Sequence, residues 1–345
     1  MTSPPKSLDV KLARIAANPG CGDFILADAK DADMAFGLAA TGLRPGGTAG
    51  TGPFRSIEEY RDSIRELVAE GLVDIMLMSA STSEVLTVSE GLFATSPVTP
   101  AVRMNDTTDI WNPNGTGLCH REPALPFATT TVAQAQCGRI ECARGEAARG
   151  ADLGLFSITF NDDASRDRAM LEAYKAFRAE AERAGFRHFL EVFAPNSPAP
   201  RSNGGTLDVP RFLADSIVRA LAGVPRPGRP LFLKIPYLGP RVTEQLVAYD
   251  RSLVVGVLGG AAGTTHDAFA LLADARRYGA RVALFGRKIN VAEHQPSFVR
   301  FLRLVADGDT PPAEAVRGYH GELARRNIRP QRTLEADLEL MAPAW

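Results

Sequence analysis

Two charged side chains stand inside runs of apolar residues that are typical of buried strands. Lys234 lies in residues 232–237 (FLKIPY), and Glu191 lies in residues 189–193 (FLEVF). An amine that loses hydration has a lowered pKa and can attack a carbonyl carbon to form a Schiff base. A neighbouring carboxylate can carry protons during that reaction. The two residues therefore indicate carbonyl chemistry, with Lys234 as the nucleophile and Glu191 as the acid/base.

A purely structural role is open for both residues. The aliphatic stem of Lys234 can be buried while its ammonium group reaches a carboxylate or solvent. Glu191 can form a salt bridge to Lys234 that only neutralises two charges inside the core. The choice depends on the strands that carry the two residues.

Eight short runs of apolar and β-branched residues alternate with amphipathic helical patterns along the chain. Such an alternation is typical of a (β/α)8 TIM barrel. We predict one TIM-barrel domain over residues 1–345, with the barrel at about 22–306 and a C-terminal extension at about 307–345. The predicted strands are residues 24–27, 73–78, 101–104, 153–160, 188–193, 231–235, 253–257 and 282–285.

Local signals mark the ends of several elements. Ser56 followed by Glu59 predicts a capped helix start, and Gly71 predicts the end of that helix. Proline- and glycine-rich residues 44–53 and 194–205 are predicted loops after the first and fifth strands. In a barrel, loops after strands cover the site.

The loops after the last two strands are rich in small residues. Residues 259–265 (GGAAGTT) follow the seventh strand, and Gly286 and Arg287 follow the eighth. Bare backbone lets N–H groups approach an anion, and a guanidinium adds charge-assisted hydrogen bonds. Many barrels build a phosphate site from these two loops. We predict a phosphate site at Gly259, Gly260, Gly286 and Arg287, although the glycines can also serve tight turns alone.

The order of these motifs resembles the class I aldolase superfamily. Lys234 in the sixth strand, Gly259 and Gly260 after the seventh, and residues 285–289 (FGRKI) after the eighth carry the likeness. It is greatest to the branch that holds archaeal-type fructose-bisphosphate aldolases, tagatose-bisphosphate aldolases and sulfofructosephosphate aldolase. It spans about residues 24–305 and is strongest from residue 151 onward.

The resemblance implies roles for individual residues. Lys234 matches the lysine that forms a Schiff base with the substrate ketone. Asp28 falls where the family has an aspartate that closes strand one near that lysine, although Asp28 could also cap a helix. Glu191 falls where the tagatose-bisphosphate branch has a glutamate. The family further implies carbohydrate metabolism, no cofactor and a homo-oligomer.

Two departures concern the acid/base and the substrate. Archaeal-type fructose-bisphosphate aldolases use a tyrosine on strand four, where this chain has Phe160. Phenylalanine cannot transfer a proton, so Glu191 or Tyr237 must take that role, or the chemistry differs. The first strand ends in Asp28-Ala29-Lys30, where the family more often has Asp-His-Gly or Asp-Gln-Arg.

Composition argues against several other classes. A net charge of -1, from 39 basic and 40 acidic residues, gives no basic field for nucleic acid. No stretch is long and apolar enough to span a membrane, and no secretory signal follows Met1. We therefore predict a cytoplasmic protein that binds a small sugar phosphate or analogue, with no metal. Its cysteines (Cys21, Cys119, Cys137 and Cys142) are predicted to be reduced thiols.

Three functions are compatible with the sequence. The first is a Lys234 aldolase or transaldolase that acts on a phosphorylated ketose or close analogue. The second is a metal-dependent barrel lyase or isomerase with Asp28, Asp106 and Glu191 as ligands. The third is a non-catalytic barrel that binds a sugar phosphate. The substrate and the role of residues 319–345 stay open.

Overall fold

The fold is a closed parallel barrel. The computed structural model describes residues 4–48, 52–111, 121–197, 206–260 and 263–341. The strands lie in the order β6-β5-β4-β3-β2-β1-β8-β7, and two further bridges join β6 to β7 and close the ring. The (β/α)8 prediction is thus confirmed. The strands are β1 (Ile25–Lys30), β2 (Ile75–Met78), β3 (Thr99–Arg103), β4 (Leu153–Thr159), β5 (Arg187–Phe193), β6 (Leu233–Lys234), β7 (Gly256–Leu258) and β8 (Val282–Phe285).

The observed strands overlap the predicted ones, with two informative differences at their ends. Strand β1 runs to Lys30, three residues beyond its predicted end. Strand β6 is only two residues long. Pro236 follows soon after β6 and has no N–H to donate to a neighbouring strand.

Helices surround the barrel and connect its strands. The start of α2 confirms the sequence signal, because Ser56 and Glu59 form a capping box and Gly71 ends the helix with φ 65°. A π-helical segment, Glu84–Ser89, directly follows α3. The helices are α1 (Ser7–Ala17), α2 (Ile57–Glu70), α3 (Ala80–Ser83), α4 (Val132–Cys137), α5 (Ala164–Arg183), α6 (Val209–Ala222), α7 (Gly239–Tyr249), α8 (Thr265–Arg277), α9 (Arg287–Asn290), α10 (Gln295–Asp307), α11 (Pro312–Arg325) and α12 (Leu334–Leu338).

Alternate residues of each strand face opposite sides of the barrel wall. Side chains that point to the barrel axis form an inner cluster, and those on the other face pack against the helices in two outer clusters. The position of a strand residue in this alternation therefore decides whether it can reach a site inside the barrel. Inner members include Ile25, Ala27, Ala29, Ile75, Leu77, Ala101, Leu155, Phe189 and Phe232.

Two short hairpins extend the barrel. Leu43–Thr48 pairs antiparallel with Gly52–Phe54, so the prediction that residues 44–53 form a loop is wrong. Asp106–Thr107 pairs with Pro126–Phe127. The other predicted loop, residues 194–205, lies outside the described residues beyond residue 197.

The C-terminal residues pack against the start of α8, directly after the loop that follows β7. The backbone N–H of Thr265 donates to Asp337 Oδ1 at 2.7 Å, and Thr264 Oγ1 donates to the Glu339 carbonyl at 2.7 Å. His266 Nδ1 lies 2.7 Å from the Leu338 carbonyl oxygen. The end of the described chain is therefore bonded to the β7–α8 connection.

Cys137 and Cys142 form a disulfide with a Cα–Cα distance of 5.8 Å. This corrects the prediction that both are reduced thiols. Gly138, with φ 76°, turns the chain after α4 and brings the two cysteines together. Cys21 is free, and Cys119 lies outside the described residues.

No helix in the described ranges is long and apolar enough to cross a membrane.

Candidate active site

Lys234 and Glu191 lie side by side inside the barrel. They are register partners on β6 and β5, and each follows an inner-cluster phenylalanine by two residues, so both face the axis. Lys234 Nζ is 2.6 Å from Glu191 Oε1, and the two side chains are 9% and 3% exposed. The predicted nucleophile and the predicted acid/base are thus in direct contact.

The second oxygen of Glu191 is held by β4. Ser157 Oγ donates a hydrogen bond to Glu191 Oε2 at 2.7 Å. Ser157 is held in turn by Asn105, whose Oδ1 accepts from the Ser157 N–H at 2.6 Å and whose Nδ2 donates to the Ser157 carbonyl at 2.8 Å. The Glu191 carboxylate is therefore fixed at both oxygens.

Arg103 is a buried cation near this pair, and the sequence interpretation missed it. Arg103 Nη1 donates to Asp31 Oδ2 at 2.9 Å, Nη2 donates to Asp106 Oδ1 at 3.3 Å, and Nε donates to the Asn105 carbonyl at 2.8 Å. Burial by itself lowers the pKa of Arg103, but the charges of Asp31, Glu191 and Asp106 hold that pKa above its usual value. The signal that singled out Lys234, a charge within an apolar strand, also marks Arg103.

The inner polar cluster consists of Asp31, Arg103, Asp106, Ser157, Glu191 and Lys234. It contains three carboxylates and two cations, all buried. Burial raises the pKa of Asp106, while Arg103 lowers it. The formal charge of the cluster is therefore -1.

Asp28 lies on the other face of the barrel wall. Its register partners, Met76 and Phe285, both belong to an outer cluster, and parallel register partners point the same way. The expectation that Asp28 accompanies Lys234 is therefore corrected. Because β1 continues to Lys30, Asp28 is inside the strand, and it is Asp31 that faces the barrel interior.

Asp28 is paired with Lys30 in the outer layer. Lys30 Nζ lies 3.2 Å from Asp28 Oδ2 and donates to Gln295 Oε1 at 2.8 Å. Both charged side chains are fully buried. Burial raises the pKa of Asp28 to about 6, against the opposing effect of Lys30, and burial likewise lowers the pKa of Lys30.

Tyr237 and Phe160 also lie in the outer layer. Tyr237 belongs to an outer cluster; burial raises the pKa of its hydroxyl, and Asp274 of α8 raises it further. The Phe160 ring packs edge-on against Phe212 of α6 at 6.4 Å. Neither ring faces Lys234. Because side chains alternate along β4, its residues on the same side as Lys234 are Ser157 and Thr159.

Gly259 after β7 and Gly286 after β8 are required by close packing. A Cβ on Gly259 would lie 2.1 Å from the Phe285 ring, and one on Gly286 would lie 2.5 Å from the Ala29 carbonyl oxygen. Arg287 is exposed next to them, with its guanidinium carbon 5.7 Å from the centre of the Phe36 ring. The predicted phosphate residues lie after two neighbouring strands, β7 and β8. Ala261 and Ala262, in the first of these connections, lie outside the described residues.

The start of α8 is already bonded to carboxylates. Thr264 N donates to Asp267 Oδ2 at 2.7 Å, and Thr265 N donates to Asp337 Oδ1 at 2.7 Å. Two N–H groups that could otherwise bind an anion are therefore occupied. Among the described residues of these two connections, the glycine backbone and Arg287 are the predicted groups left to bind an anion.

The ligand set of the metal-dependent alternative does not converge. Asp28 faces the outer layer, Asp106 binds Arg103, and Glu191 contacts Lys234. Across the ranges described above, no three His, Cys, Asp or Glu side chains group in a way that could hold a metal ion.

The chain matches known proteins by its three-dimensional structure. No protein-family model and no curated protein sequence matches it significantly. An archaeal fructose 1,6-bisphosphate aldolase aligns with 86% of this chain and 99% of its own, at 14% identity and a TM-score of 0.60. A Schiff-base-forming fructose-1,6-bisphosphate aldolase aligns with 87% of this chain and 100% of its own, at 18% identity and a TM-score of 0.61.

A third likeness is to a bacterial protein. Fructose-bisphosphate aldolase from Slackia heliotrinireducens aligns with 90% of this chain and 89% of its own, at 14% identity and a TM-score of 0.62. At these identities the relationship is remote. It shows that the chain shares the barrel fold of these fructose-bisphosphate aldolases, as the order of its motifs predicted.

Proposed function

We propose that the protein is a class I aldolase that cleaves or forms a carbon–carbon bond in a phosphorylated ketose or a close analogue. The observation that carries the proposal is the 2.6 Å contact between Lys234 Nζ and Glu191 Oε1 inside the barrel. It pairs an amine with a carboxylate that can accept its proton, within a wall that excludes water.

The first stage is attack of Lys234 on the substrate ketone. Lys234 transfers a proton to Glu191, and the neutral amine adds to the carbonyl carbon to give a carbinolamine. Glu191 then protonates the carbinolamine hydroxyl, which leaves as water, and an iminium ion forms. Ser157 keeps the carboxylate oriented through both transfers, because it binds the oxygen that does not face the lysine.

The second stage is cleavage. The iminium withdraws electrons from the bond between the Cα and Cβ carbons of the substrate. Glu191 removes the proton from the hydroxyl group on Cβ. The aldehyde leaves, and the bonding electron pair remains on the lysine-bound fragment as an enamine. Glu191 returns its proton to the enamine carbon, and water hydrolyses the resulting iminium to release the ketone and free Lys234.

The phosphate of the substrate would orient the reacting bond. Gly259, Gly260, Gly286 and Arg287 lie after neighbouring strands on the face where barrels carry their sites. Binding energy from a phosphate there would hold the ketone carbon near Lys234. A transaldolase would use the same steps and differ only in its acceptor aldehyde.

Borohydride trapping tests this function. Reduction in the presence of dihydroxyacetone phosphate should add the reduced ligand to the chain, and peptide mass spectrometry should locate it at Lys234. Pyruvate, which has no phosphate, should give less adduct at equal concentration. Absence of any adduct at Lys234 with either ketone would reject the proposal.

A further inference from the structure

Asn105 is a buried amide side chain that is connected to the Lys234–Glu191 pair through a single residue, Ser157. Ser157 Oγ donates to Glu191 Oε2 at 2.7 Å, and Glu191 Oε1 lies 2.6 Å from Lys234 Nζ. The Ser157 N–H donates to Asn105 Oδ1 at 2.6 Å, and Asn105 Nδ2 donates to the Ser157 carbonyl at 2.8 Å. Direct hydrogen bonds and one ion pair therefore join Asn105 to the proposed nucleophile.

The register of β3 and β4 explains why the side chain of Asn105 meets the backbone of Ser157. Arg103 lies opposite Leu155, and the Met104 N–H donates to the Leu155 carbonyl at 2.8 Å. The same register would place Asn105 opposite Ser157, but β3 ends at Arg103. Without a strand beside it, the backbone of Ser157 would keep an unpaired N–H and an unpaired carbonyl in a buried position. The amide of Asn105 makes both bonds, as a neighbouring strand would.

The environment of Asn105 fits an amide and not a carboxylate of the same shape. Asn105 Nδ2 also donates to the Asp106 carbonyl at 3.2 Å, so its two N–H groups face two carbonyl oxygens while its own oxygen faces an N–H. This pattern decides which way the amide points. An ionised aspartate at position 105 could accept from the Ser157 N–H but could donate to neither carbonyl. Its second oxygen would repel both, so the contacts that hold Ser157 would change.

The bond from Ser157 is the anchor of Glu191 that stays in place during the proposed reaction. Lys234 becomes bound to the ketone carbon, so its contact with Glu191 Oε1 must change while that carboxylate transfers protons. The Ser157 hydroxyl binds the other oxygen and takes no part in bond formation. A catalytic group has to be held within about 0.5 Å of its productive position. The geometry of Ser157 thus bears directly on the position of the acid/base.

We propose that Asn105 is a positioning residue, which holds Ser157 and thereby orients the Glu191 carboxylate for proton transfer. This inference rests on the proposed aldolase function and adds a residue to its site. Asn105 acts through Ser157, so its loss should slow the proton transfers and leave the Lys234 amine able to bind a ketone. The effect should therefore fall on kcat, with little change in KM.

The exchange of the amide for a carboxylate tests the proposal in the full chain. Asn105→Asp should lower kcat for a phosphorylated ketose about 10- to 100-fold, as expected for a displaced general base, and should change KM less than about twofold. Gln136→Glu is the matched control, because the Gln136 amide also donates to a backbone carbonyl, that of Ala184 at 3.2 Å, but belongs to helix α4 outside the barrel. It should change neither constant. An unchanged kcat in Asn105→Asp would overturn the proposal.

Two further variants separate the hydrogen bonds from charge and from folding. Asn105→Ala removes the amide without adding a charge to the inner polar cluster and should also lower kcat about tenfold or more. If it retains kcat, the loss in Asn105→Asp is due to charge and the proposal is wrong. Ser157→Ala deletes only the hydroxyl, keeps the backbone bonds to Asn105 and should show a similar loss; full activity in this variant would equally reject the proposal. Rates are expressed per Lys234 that borohydride reduces onto dihydroxyacetone phosphate, so unfolded protein is not counted.

A double-mutant cycle shows whether Asn105 acts through Ser157. In the Ser157→Ala background, Asn105→Asp should lower kcat by no more than about twofold, because the hydroxyl that Asn105 positions is already absent. If the two single losses instead multiply in the double variant, Asn105 acts independently of Ser157 and the inference fails.

A crystal structure of Asn105→Asp separates this inference from the aldolase function. The distance between Ser157 Oγ and Glu191 Oε2 should increase from 2.7 Å to more than about 3.5 Å. If the wild type traps a ketone on Lys234 but the variant keeps the 2.7 Å contact, the positioning role is wrong and the aldolase proposal stands. If the distance increases but the wild type traps no ketone, the aldolase proposal fails and Asn105 keeps its role of orienting Glu191.

Discussion

The barrel wall contains two buried lysine–carboxylate pairs that differ in the face they occupy. Lys234 and Glu191 lie on the inner face, 2.6 Å apart, while Lys30 and Asp28 lie on the outer face, 3.2 Å apart. The outer pair is completely enclosed, and Lys30 also donates to Gln295 of α10. The inner pair keeps a small exposed fraction, 9% for the Lys234 side chain.

The difference shows that burial of a lysine does not by itself indicate catalysis. Both amines stand in apolar strands and both face a carboxylate. Of the two lysines, Lys234 keeps a small exposed fraction, whereas Lys30 has none. The outer pair is sealed between a strand and a helix, where an ion pair contributes to structural specificity at a desolvation cost.

The largest expected difference between the two pairs is the effect on kcat/KM of replacing each lysine by methionine. Lys234→Met should lower kcat/KM for a phosphorylated ketose by about 10⁴-fold or more, since it removes the covalent step. Lys30→Met should leave the activity per folded molecule unchanged. Steady-state kinetics with both variants checks this, and similar losses in the two variants would remove the distinction between the pairs.

Substitution of the inner carboxylate should likewise lower the activity, and substitution of the outer carboxylate should not. Glu191→Gln should lower kcat by about 10²- to 10⁴-fold, because an amide cannot accept or return the proton. Asp28→Asn should retain kcat. Steady-state kinetics of both variants measures this, and an equal loss of kcat in Asp28→Asn would contradict the assignment of Glu191.

Substitution in the outer pair should lower the stability of the protein, although it leaves the activity unchanged. Lys30→Met leaves Asp28 buried without its cation and should lower the free energy of unfolding by about 3–5 kcal/mol. Urea unfolding monitored by circular dichroism measures this. The double variant Lys30→Met/Asp28→Asn is the control and should recover part of the loss. A loss below about 1 kcal/mol, as for a surface pair, would contradict the buried assignment.

The smallest expected effect is a pH dependence of stability. The pKa of Asp28 is about 6 in the folded protein against an ordinary value of 3.8. The folded state therefore holds this proton more tightly than the unfolded state. The resulting stabilisation is complete below about pH 4 and is lost as pH rises through about 6. Unfolding curves across this range should show that loss in the wild type and its absence in Asp28→Asn.

Much of the barrel follows from the sequence because the apolar runs of its strands are interrupted by clear turn residues. Lys234 and Glu191 could be paired in advance because each follows the same dipeptide, Phe-Leu, in consecutive predicted strands. Asp28 could not be placed, because its side of the wall depends on where β1 ends. Sequence periodicity placed that end at residue 27, whereas hydrogen bonding to β2 continues to Lys30.

Two other features become visible only in the three-dimensional structure. Arg103 carries the same signal as Lys234, yet its partner Asp31 comes from another strand and becomes visible only in the fold. The Cys137–Cys142 disulfide depends on the turn at Gly138. The C-x4-C spacing of the two cysteines is not an established signature of a disulfide. A local pattern thus indicates which residues are unusual, and the tertiary structure decides which of them meet.

The bond between Thr265 and Asp337 links the β7–α8 connection to residues made 72 positions later. Translation proceeds at about 5–20 residues per second, so a nascent chain waits on the order of 4–14 s between these two residues. Once Phe285 has been made, all eight strands exist, but the start of α8 lacks one of its acceptors until Asp337 follows. A chain released between residues 307 and 337 would contain every barrel strand, helix α10 and both buried ion pairs, yet the Thr265 N–H next to the predicted phosphate loops would lack its acceptor. Asp337 and Glu339 thus complete the hydrogen bonds of the β7–α8 connection from a point in the sequence that follows all eight strands.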